Sequence, residues 1–148
     1  SASCSNSFTF TVPGKPAPQG SKRHVGKGVM VESSKRCKPW RQDVRHTAIE
    51  LLPDGWYASM DKAITLSCVF VFARPKNHFR TNGQLKPSAP KHCSGRIGDI
   101  SKLVRAVEDA MTGIVYNDDA QIINLIAHRR FANDREQPCA IITVTALS

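Results

Sequence analysis

Three aspartates stand at the two ends of one helix-like segment in a chain that is otherwise strongly basic. They are Asp99, Asp118 and Asp119, and the 148 residues carry a formal net charge of +9. Carboxylates weaken the attraction of a basic surface for a polyanion, unless they hold a metal ion where the polyanion binds. Mg²⁺ prefers hard oxygen ligands and needs only two or three carboxylates. The pattern therefore indicates metal-dependent chemistry on a nucleic-acid phosphate.

Each of these residues also has an ordinary structural role open to it. Asp99 stands where a helix begins and suits an N-cap, whereas Asp118 and Asp119 belong to a turn sequence. Arg105 lies six residues after Asp99, where it either clamps a phosphate or forms an ion pair with Asp109 on the helix surface. Spacing alone leaves the metal site and the structural roles as alternatives.

The elements that must position these residues follow from the apolar periodicity of the chain. The pattern predicts strands at residues 8–12, 64–72, 121–130 and 139–146, a short strand at 29–31, and helices at 39–52 and 99–112. Pro39 suits the first position of the first helix. Residues 64–72 are apolar on both faces, which indicates a central strand. If the segment after the second helix runs back along it, Asp99 and Asp119 can meet.

The order of these elements predicts the fold class. We expect an α+β fold, a small single-layer mixed β-sheet with two helices packed on one face. One domain is expected over residues 1–148, with residues 1–6 disordered or an added segment, because the chain does not start with Met.

A long segment at residues 74–97 is rich in Pro and Gly and contains no acid. Loops of this length in compact domains are usually functional or disordered. A cluster of one charge sign suits neutralisation of DNA phosphates. A solvated, disordered loop is the ordinary alternative, and the two are compatible because such segments often become ordered on a partner. We expect this loop to be mobile without DNA and to contribute to affinity.

The five cysteines are odd in number and form no C-x-x-C pair. This argues against a disulfide framework and favours a reducing cytoplasm. Cys68 lies in the central strand pattern, where a buried thiol is usual. His92 and Cys93 could supply two ligands of a zinc site, but no second pair of ligands follows at the spacing of a zinc finger. No long apolar run predicts a membrane span, and the N-terminus does not have the pattern of a signal peptide.

Residues 98–121 read GDISKLVRAVEDAMTGIVYNDDAQ. This segment resembles the signature of the RusA family of Holliday junction resolvases, which opens with two acids one residue apart and ends in D-D-x-Q. The segments FTVPGKPAPQGSKR, KPWRQDV, RPKNH and GQLKPSAPKH are similar to phage-encoded members. The similarity extends over nearly the whole chain.

The resemblance implies a homodimeric, Mg²⁺-dependent endonuclease that nicks four-way DNA junctions symmetrically. We expect that Mn²⁺, which binds such sites more tightly, can substitute, and that the protein acts in the host cytoplasm. Its metal ligands fall on Asp99, Ser101 and Asp119, with Asp118 beside the last, and its functional lysine falls on Arg105. The candidate DNA-binding residues are basic and lie mainly in the loop: Lys22, Arg23, Arg74, Lys76, Arg80, Lys86, Lys91, Arg96, Lys102 and Arg129.

Two departures from the family pattern bear on activity. Ser101 stands where the family usually has Asp, so one ligand charge is missing. The Ser101 hydroxyl can still hold a metal-bound water, but we expect Asp118 to take over the role because it is adjacent and has no other evident use. Arg105 keeps the positive charge but does not exchange a proton readily. Two hypotheses remain: a junction-resolving enzyme, or a branched-DNA-binding protein of the same fold with weak or no catalysis.

Overall fold

The computed structural model describes residues 6–20, 35–95 and 98–148, together with the backbone of residues 22–24 and 30–32. Six strands and two α-helices follow one another along the described residues. They are β1 Asn6–Pro13, β2 Lys22–His24, β3 Met30–Glu32, α1 Cys37–Leu51, β4 Ala63–Phe72, α2 Ile100–Met111, β5 Ile122–Phe131 and β6 Cys139–Leu147. Apart from β2, which was not predicted, this is the predicted order of elements.

Four of the strands form one mixed sheet in the order β1-β6-β4-β5, and β2 and β3 form a separate hairpin. β6 is antiparallel to both of its neighbours, whereas β4 and β5 are parallel. The prediction of a central strand is confirmed, because β4 pairs with β5 on one side and β6 on the other. The fold class, α+β with one sheet and two helices, is also confirmed.

The core lies between the helices and one face of the sheet. Alternate residues of the strands, such as Phe70 and Ile142, are buried there together with Val44 of α1 and Leu103 and Val107 of α2. The apolar spacing that predicted this helix therefore corresponds to residues buried in the core. α2 ends at Met111, and Gly113 follows with a φ of 86°, a left-handed conformation that glycine adopts without strain.

Several boundaries differ from the prediction. α1 begins at Cys37, so Pro39 is its third residue and not its first. The N–H that Pro39 lacks would still fall in the first turn, where a backbone N–H has no intrahelical acceptor. Leu51, one of the apolar residues whose spacing predicted this helix, is 52% exposed. Asn6, expected outside the folded part, is the first residue of β1 and pairs with Ala146. Residues 1–5 and Val29 of the predicted short strand lie outside the described residues.

The described cysteines are buried thiols without a disulfide: Cys37, Cys68, Cys93 and Cys139. Burial raises the pKa of Cys68 to about 12, with a smaller contribution from the charge of Glu108. Cys68 is therefore a core residue, as its place in β4 predicts, and is not a reactive thiolate.

Candidate metal centre and nucleic-acid interface

The carboxylate of Asp99 lies at the start of α2 and does not cap it. Asp99 occupies the N-cap position, yet its side chain accepts no capping hydrogen bond. The side chain is 72% exposed, and Lys102 Nζ lies 4.0 Å from its Oδ2. An ion pair this exposed contributes little to stability. The side chain of Asp99 therefore does not cap α2, and that structural alternative is wrong. The carboxylate oxygens of Asp99 are accessible to a ligand.

The chain turns sharply after α2 and stays at the C-terminal end of the helix. The N–H of Gly113 donates to the carbonyl of Tyr116 at 2.7 Å, and the N–H of Ile114 donates to the carbonyl of Met111 at 3.0 Å. The Tyr116 hydroxyl donates to the carbonyl of Glu108 at 2.8 Å. These bonds hold the return segment against the last turns of α2.

As a result, Asp99 and Asp119 lie at opposite ends of α2 within one chain. α2 connects two parallel strands, so it runs back from the end of β4 to the start of β5. Gly98, next to Asp99, accepts a hydrogen bond from Arg129 near the end of β5, whereas Asp119 immediately precedes β5. The 12 residues of α2 span about 18 Å.

The expectation that the return segment brings the two ends of the motif together is therefore not met within one chain. Across the described ranges 6–20, 35–95 and 98–148, no three His, Cys, Asp or Glu side chains form a group that could hold one metal ion.

Asp118 has a structural role. Its Oδ1 accepts a hydrogen bond from the N–H of Ala120 at 2.8 Å, and the side chain of Gln121 accepts from the N–H of Asp118 at 2.8 Å. Together they form a capping box on the 3₁₀ turn Asp119–Gln121. Gln121 also donates to the carbonyls of Met60 and Lys62. This network fixes the backbone that carries Asp119 to the segment before β4.

Glu108 is an acid of this region that the sequence interpretation left out. Burial raises the pKa of the half-buried Glu108, and the negative charge of Asp119 raises it further. The negative charges of the two carboxylates therefore repel each other. Arg105 acts in the opposite direction by lowering the pKa of Glu108. Among the ion pairs of the described residues there is none between Arg105 and Asp109, the structural alternative for Arg105.

A sequence signal for Glu108 existed in the helical period. Ser101, Arg105 and Glu108 follow one another at spacings of four and three residues, which places them on one face of α2. Ser101 and Arg105 are exposed and Glu108 is half-buried. The face of α2 that has no carboxylate at Ser101 therefore has the carboxylate of Glu108, about two helical turns further on.

The basic loop has a defined path over residues 74–95. Phe79 pairs with Leu85 in a short bridge, and the N–H of Lys86 donates to the carbonyl of His78 at 2.9 Å. Arg74 lies 4.4 Å from the centre of the Phe131 ring and donates to the carbonyl of Pro90 at 2.7 Å. The mobility of the loop without DNA remains a prediction.

The candidate DNA-binding residues fall into three groups. Lys76, Arg80 and Lys91 are exposed and Lys86 is half-buried, so their charges are accessible. Arg74 and Arg129 instead hold the loop, since Arg129 donates to the carbonyls of Gly95 and Gly98. The third group lies outside the described residues: Arg96 and the side chains of Lys22 and Arg23. Lys102, near Asp99, is exposed.

An open cavity of about 940 Å³ lies between the loop and the β5–β6 turn. Arg74, Lys91 and Arg130 contribute positive charge to its wall, and Phe79 and Phe131 contribute aromatic surface. Arg130 is neutralised by a bidentate ion pair with Glu136, at 2.6 and 2.9 Å. Lys91 is thus the wall residue whose charge is most available to a phosphate.

Comparison with known families places this arrangement in a class. Residues 13–145, nearly the whole chain, match the family model described as Endodeoxyribonuclease RusA. The chain therefore belongs to the RusA family of structure-specific DNA endonucleases, which resolve Holliday junctions, bind branched DNA and depend in general on a divalent metal. No curated protein matches the chain. Among the described residues, no helix has the length and apolar character needed to cross a membrane.

Proposed function

We propose that this protein is a Mg²⁺-dependent endonuclease that resolves four-way DNA junctions by paired, symmetric nicks, acting as a homodimer. The observation that carries the proposal is the placement of carboxylates at the two ends of α2. Asp99 is exposed and uncapped at one end, and Asp119 lies beside Glu108 at the other. Such acids oppose DNA binding in a chain of net charge +9 unless they hold a cation.

The donor types fit a hard divalent cation, but the described part of one chain does not supply a complete set. Asp99 and Ser101 are separated along α2 from Asp119 and Glu108, and Asp118 is engaged in its capping box. The set is completed if the start of α2 in one copy faces the end of α2 in another. We therefore propose that Asp99 and Ser101 of one protomer and Asp119 of its partner hold the ion. Glu108 of the protomer that supplies Asp119 lies near the ion.

The roles of the protein side chains follow from their charge and position. A bound divalent ion would supply electrostatic stabilisation of a phosphodiester and activation of a water. Arg105, exposed on the same face of α2 as Ser101, neutralises charge on the phosphate but does not transfer its proton. Lys76, Arg80, Lys86 and Lys91 bind backbone phosphates.

Twofold symmetry supports the pairing of nicks. A four-way junction has twofold symmetry, and a homodimer with one twofold axis presents two equivalent sites to it. The described thiols without disulfides support a reducing compartment such as the cytoplasm. Mn²⁺ substitution and a phage origin remain predictions.

The second candidate is a branched-DNA-binding protein with weak or no catalysis. Ser101 and the lack of a three-acid group within the described part of one chain favour it. The test is nicking of a synthetic four-way junction as Mg²⁺ is titrated. Asp99→Asn and Asp119→Asn should each abolish nicking and leave junction binding equal or tighter, because a repulsive charge is removed. Binding without any nicking by the unmodified protein would establish the second candidate.

Mixing the two inactive variants tests the shared site. In a mixed dimer with shared sites, one site carries both substitutions and the other carries neither. Refolding Asp99→Asn together with Asp119→Asn should therefore restore nicking on one strand. No recovery in a mixture proven to contain mixed dimers would show that each chain builds its own site.

A further inference from the structure

The cavity between the basic loop and the β5–β6 turn has walls of three chemical kinds. Phe79 and Leu85 of the loop line it with apolar surface, and Lys91 lines it with positive charge. Side-chain amides and a carboxylate complete the wall: Gln84, Asn133 and Asp134. A nucleotide has three matching kinds of surface, namely an aromatic ring, a charged phosphate and a base edge of hydrogen-bond donors and acceptors. The cavity is therefore chemically suited to a nucleotide.

Phe79 is the aromatic ring of this cavity that is available for stacking. Phe131 also lines the cavity, but it is 8% exposed, Arg74 lies 4.4 Å from its ring centre and the ring of His78 meets it edge-on. Phe79 is 36% exposed. Among the described residues, no other ring and no cation packs against it. A base can therefore stack on Phe79, whereas Phe131 supports the arginine that holds the loop.

Hydrogen bonds within the loop hold Phe79 at the cavity. Phe79 pairs with Leu85 in the short antiparallel bridge. The chain turns tightly beyond this bridge, because the N–H of Arg80 donates to the carbonyl of Gln84 at 2.7 Å and the N–H of Gly83 donates to the carbonyl of Arg80 at 2.9 Å. A side chain on a paired backbone loses less conformational entropy on binding than one on a free chain. The loop therefore presents Phe79 in a form prepared for a ligand.

The cavity lies at the end of the sheet where α2 begins. Arg130 and Phe131, the last residues of β5, line the cavity. The residue before them, Arg129, donates to the carbonyl of Gly98, which is adjacent to Asp99. A base held in the cavity is therefore at the same end of the sheet as an exposed candidate metal ligand.

We propose that this cavity binds one nucleobase that has left the base stack at the branch point of a DNA junction. The base stacks on Phe79, the polar side chains of the wall form hydrogen bonds to its edge, and Lys91 contacts the adjacent phosphate. Extruding a base costs least where pairing is already interrupted, and the branch point interrupts the stacking of a DNA duplex. The inference rests on the DNA binding of the proposed function and adds to it a site that distinguishes a branch point from continuous duplex.

Binding measurements in the presence of EDTA, where no nicking occurs, test the stacking role of Phe79. The two probes are a synthetic four-way junction and an uninterrupted duplex with the sequence of its arms. Phe79→Leu removes the ring and keeps an apolar side chain in the loop. It should weaken junction binding about tenfold, which corresponds to the loss of one contact between a base and an aromatic ring, and should leave duplex binding unchanged. Equal weakening on both probes, or no weakening on either, overturns the proposal.

Two matched variants separate stacking from other effects. Phe79→Tyr keeps an aromatic ring and should keep the junction affinity. Tyr57 is 83% exposed and does not line the cavity, so Tyr57→Leu should leave the affinity for both probes unchanged. A loss of junction affinity in Tyr57→Leu equal to that in Phe79→Leu would overturn the assignment to this cavity.

Photochemical cross-linking of the unmodified protein tests the contact directly and decides if Phe79→Leu is unfolded by circular dichroism. 5-Iododeoxyuridine is placed in turn at each nucleotide that flanks the branch point, and in a control junction at the middle of an arm. A branch-point probe should cross-link to Phe79, as mapped by mass spectrometry, at least tenfold more than the mid-arm probe. Absence of a Phe79 cross-link from every branch-point probe overturns the proposal.

The outcomes also distinguish this site from the proposed function. Cross-linking to Phe79 in a protein that binds junctions and never nicks them would retain the base site and remove the activity. A protein that nicks junctions, yet shows neither the cross-link nor sensitivity to Phe79→Leu, would retain the activity and remove the base site. A protein that binds no junction would remove both.

Discussion

The carboxylate of Asp118 accepts a hydrogen bond from the backbone N–H of Ala120 at 2.8 Å. This bond alters the interpretation of the motif. The sequence suggested that Asp118 replaces the charge missing at Ser101, because no other use for it was evident. That premise is wrong, since Asp118 caps the turn that carries Asp119. The charge of Asp119 instead acts on Glu108, whose pKa it raises.

The capping role predicts different effects for the two adjacent aspartates. Asp118→Asn should retain most of the nicking activity, because Asn caps as well as Asp. Asp118→Ala should lower the free energy of unfolding by about 1 kcal/mol through loss of the cap. Asp119→Asn should abolish nicking without this loss of stability. Urea unfolding and junction nicking measure the two effects, and a loss of nicking in Asp118→Asn equal to that in Asp119→Asn would restore the earlier interpretation.

Glu108 offers a test of how the site makes up for Ser101. Glu108→Gln should increase stability at pH 7, because the repulsion by Asp119 disappears, and should weaken Mg²⁺ binding. The rise in unfolding temperature on adding Mg²⁺ reports binding without reference to activity. Glu108→Gln should reduce that rise, and adding Ser101→Asp to the same chain should recover it. An undiminished rise in Glu108→Gln would show that Glu108 does not contribute to the ion site.

The strands and helices could be predicted because their apolar periods are regular. The stripe of α2 and the alternation of β4 each depend on nearest neighbours along the chain. The relation of Asp99 to Asp119 depends instead on the direction of α2 between two parallel strands, which no local pattern contains. The same holds for Glu108, because its interaction with the charge of Asp119 depends on how the chain folds after α2. Arg129 was assigned to DNA, although its hydrogen bonds are to the loop carbonyls of Gly95 and Gly98.

The ion pair of Glu136 with Arg130 should make stability depend on acid pH. Hydrogen bonds from Arg130 and from the N–H of Asn133 lower the pKa of Glu136 to about 2 from an ordinary value of 4.5. A depressed folded-state pKa means that the stabilisation is present above the ordinary value and lost as the pH falls to about 2. Glu136→Gln should therefore lower the urea midpoint at pH 7 and have little effect near pH 2. An equal decrease of the urea midpoint at both pH values would show that Glu136 stabilises the fold through its shape and not through its charge.

Lysines of the loop should contribute to DNA affinity through phosphate contacts. Replacing Lys86 and Lys91 together by Ala should weaken junction binding for all sequences. It should also reduce the slope of log affinity against log salt by about one to two units, because each phosphate contact releases close to one counterion. Lys38, exposed on α1, provides a charge-matched control, and Lys38→Ala should leave the slope unchanged. Since Lys91 also lines the cavity beside Phe79, Lys91→Ala alone should account for the larger share. An unchanged slope in the double variant would show that these lysines do not contact phosphates.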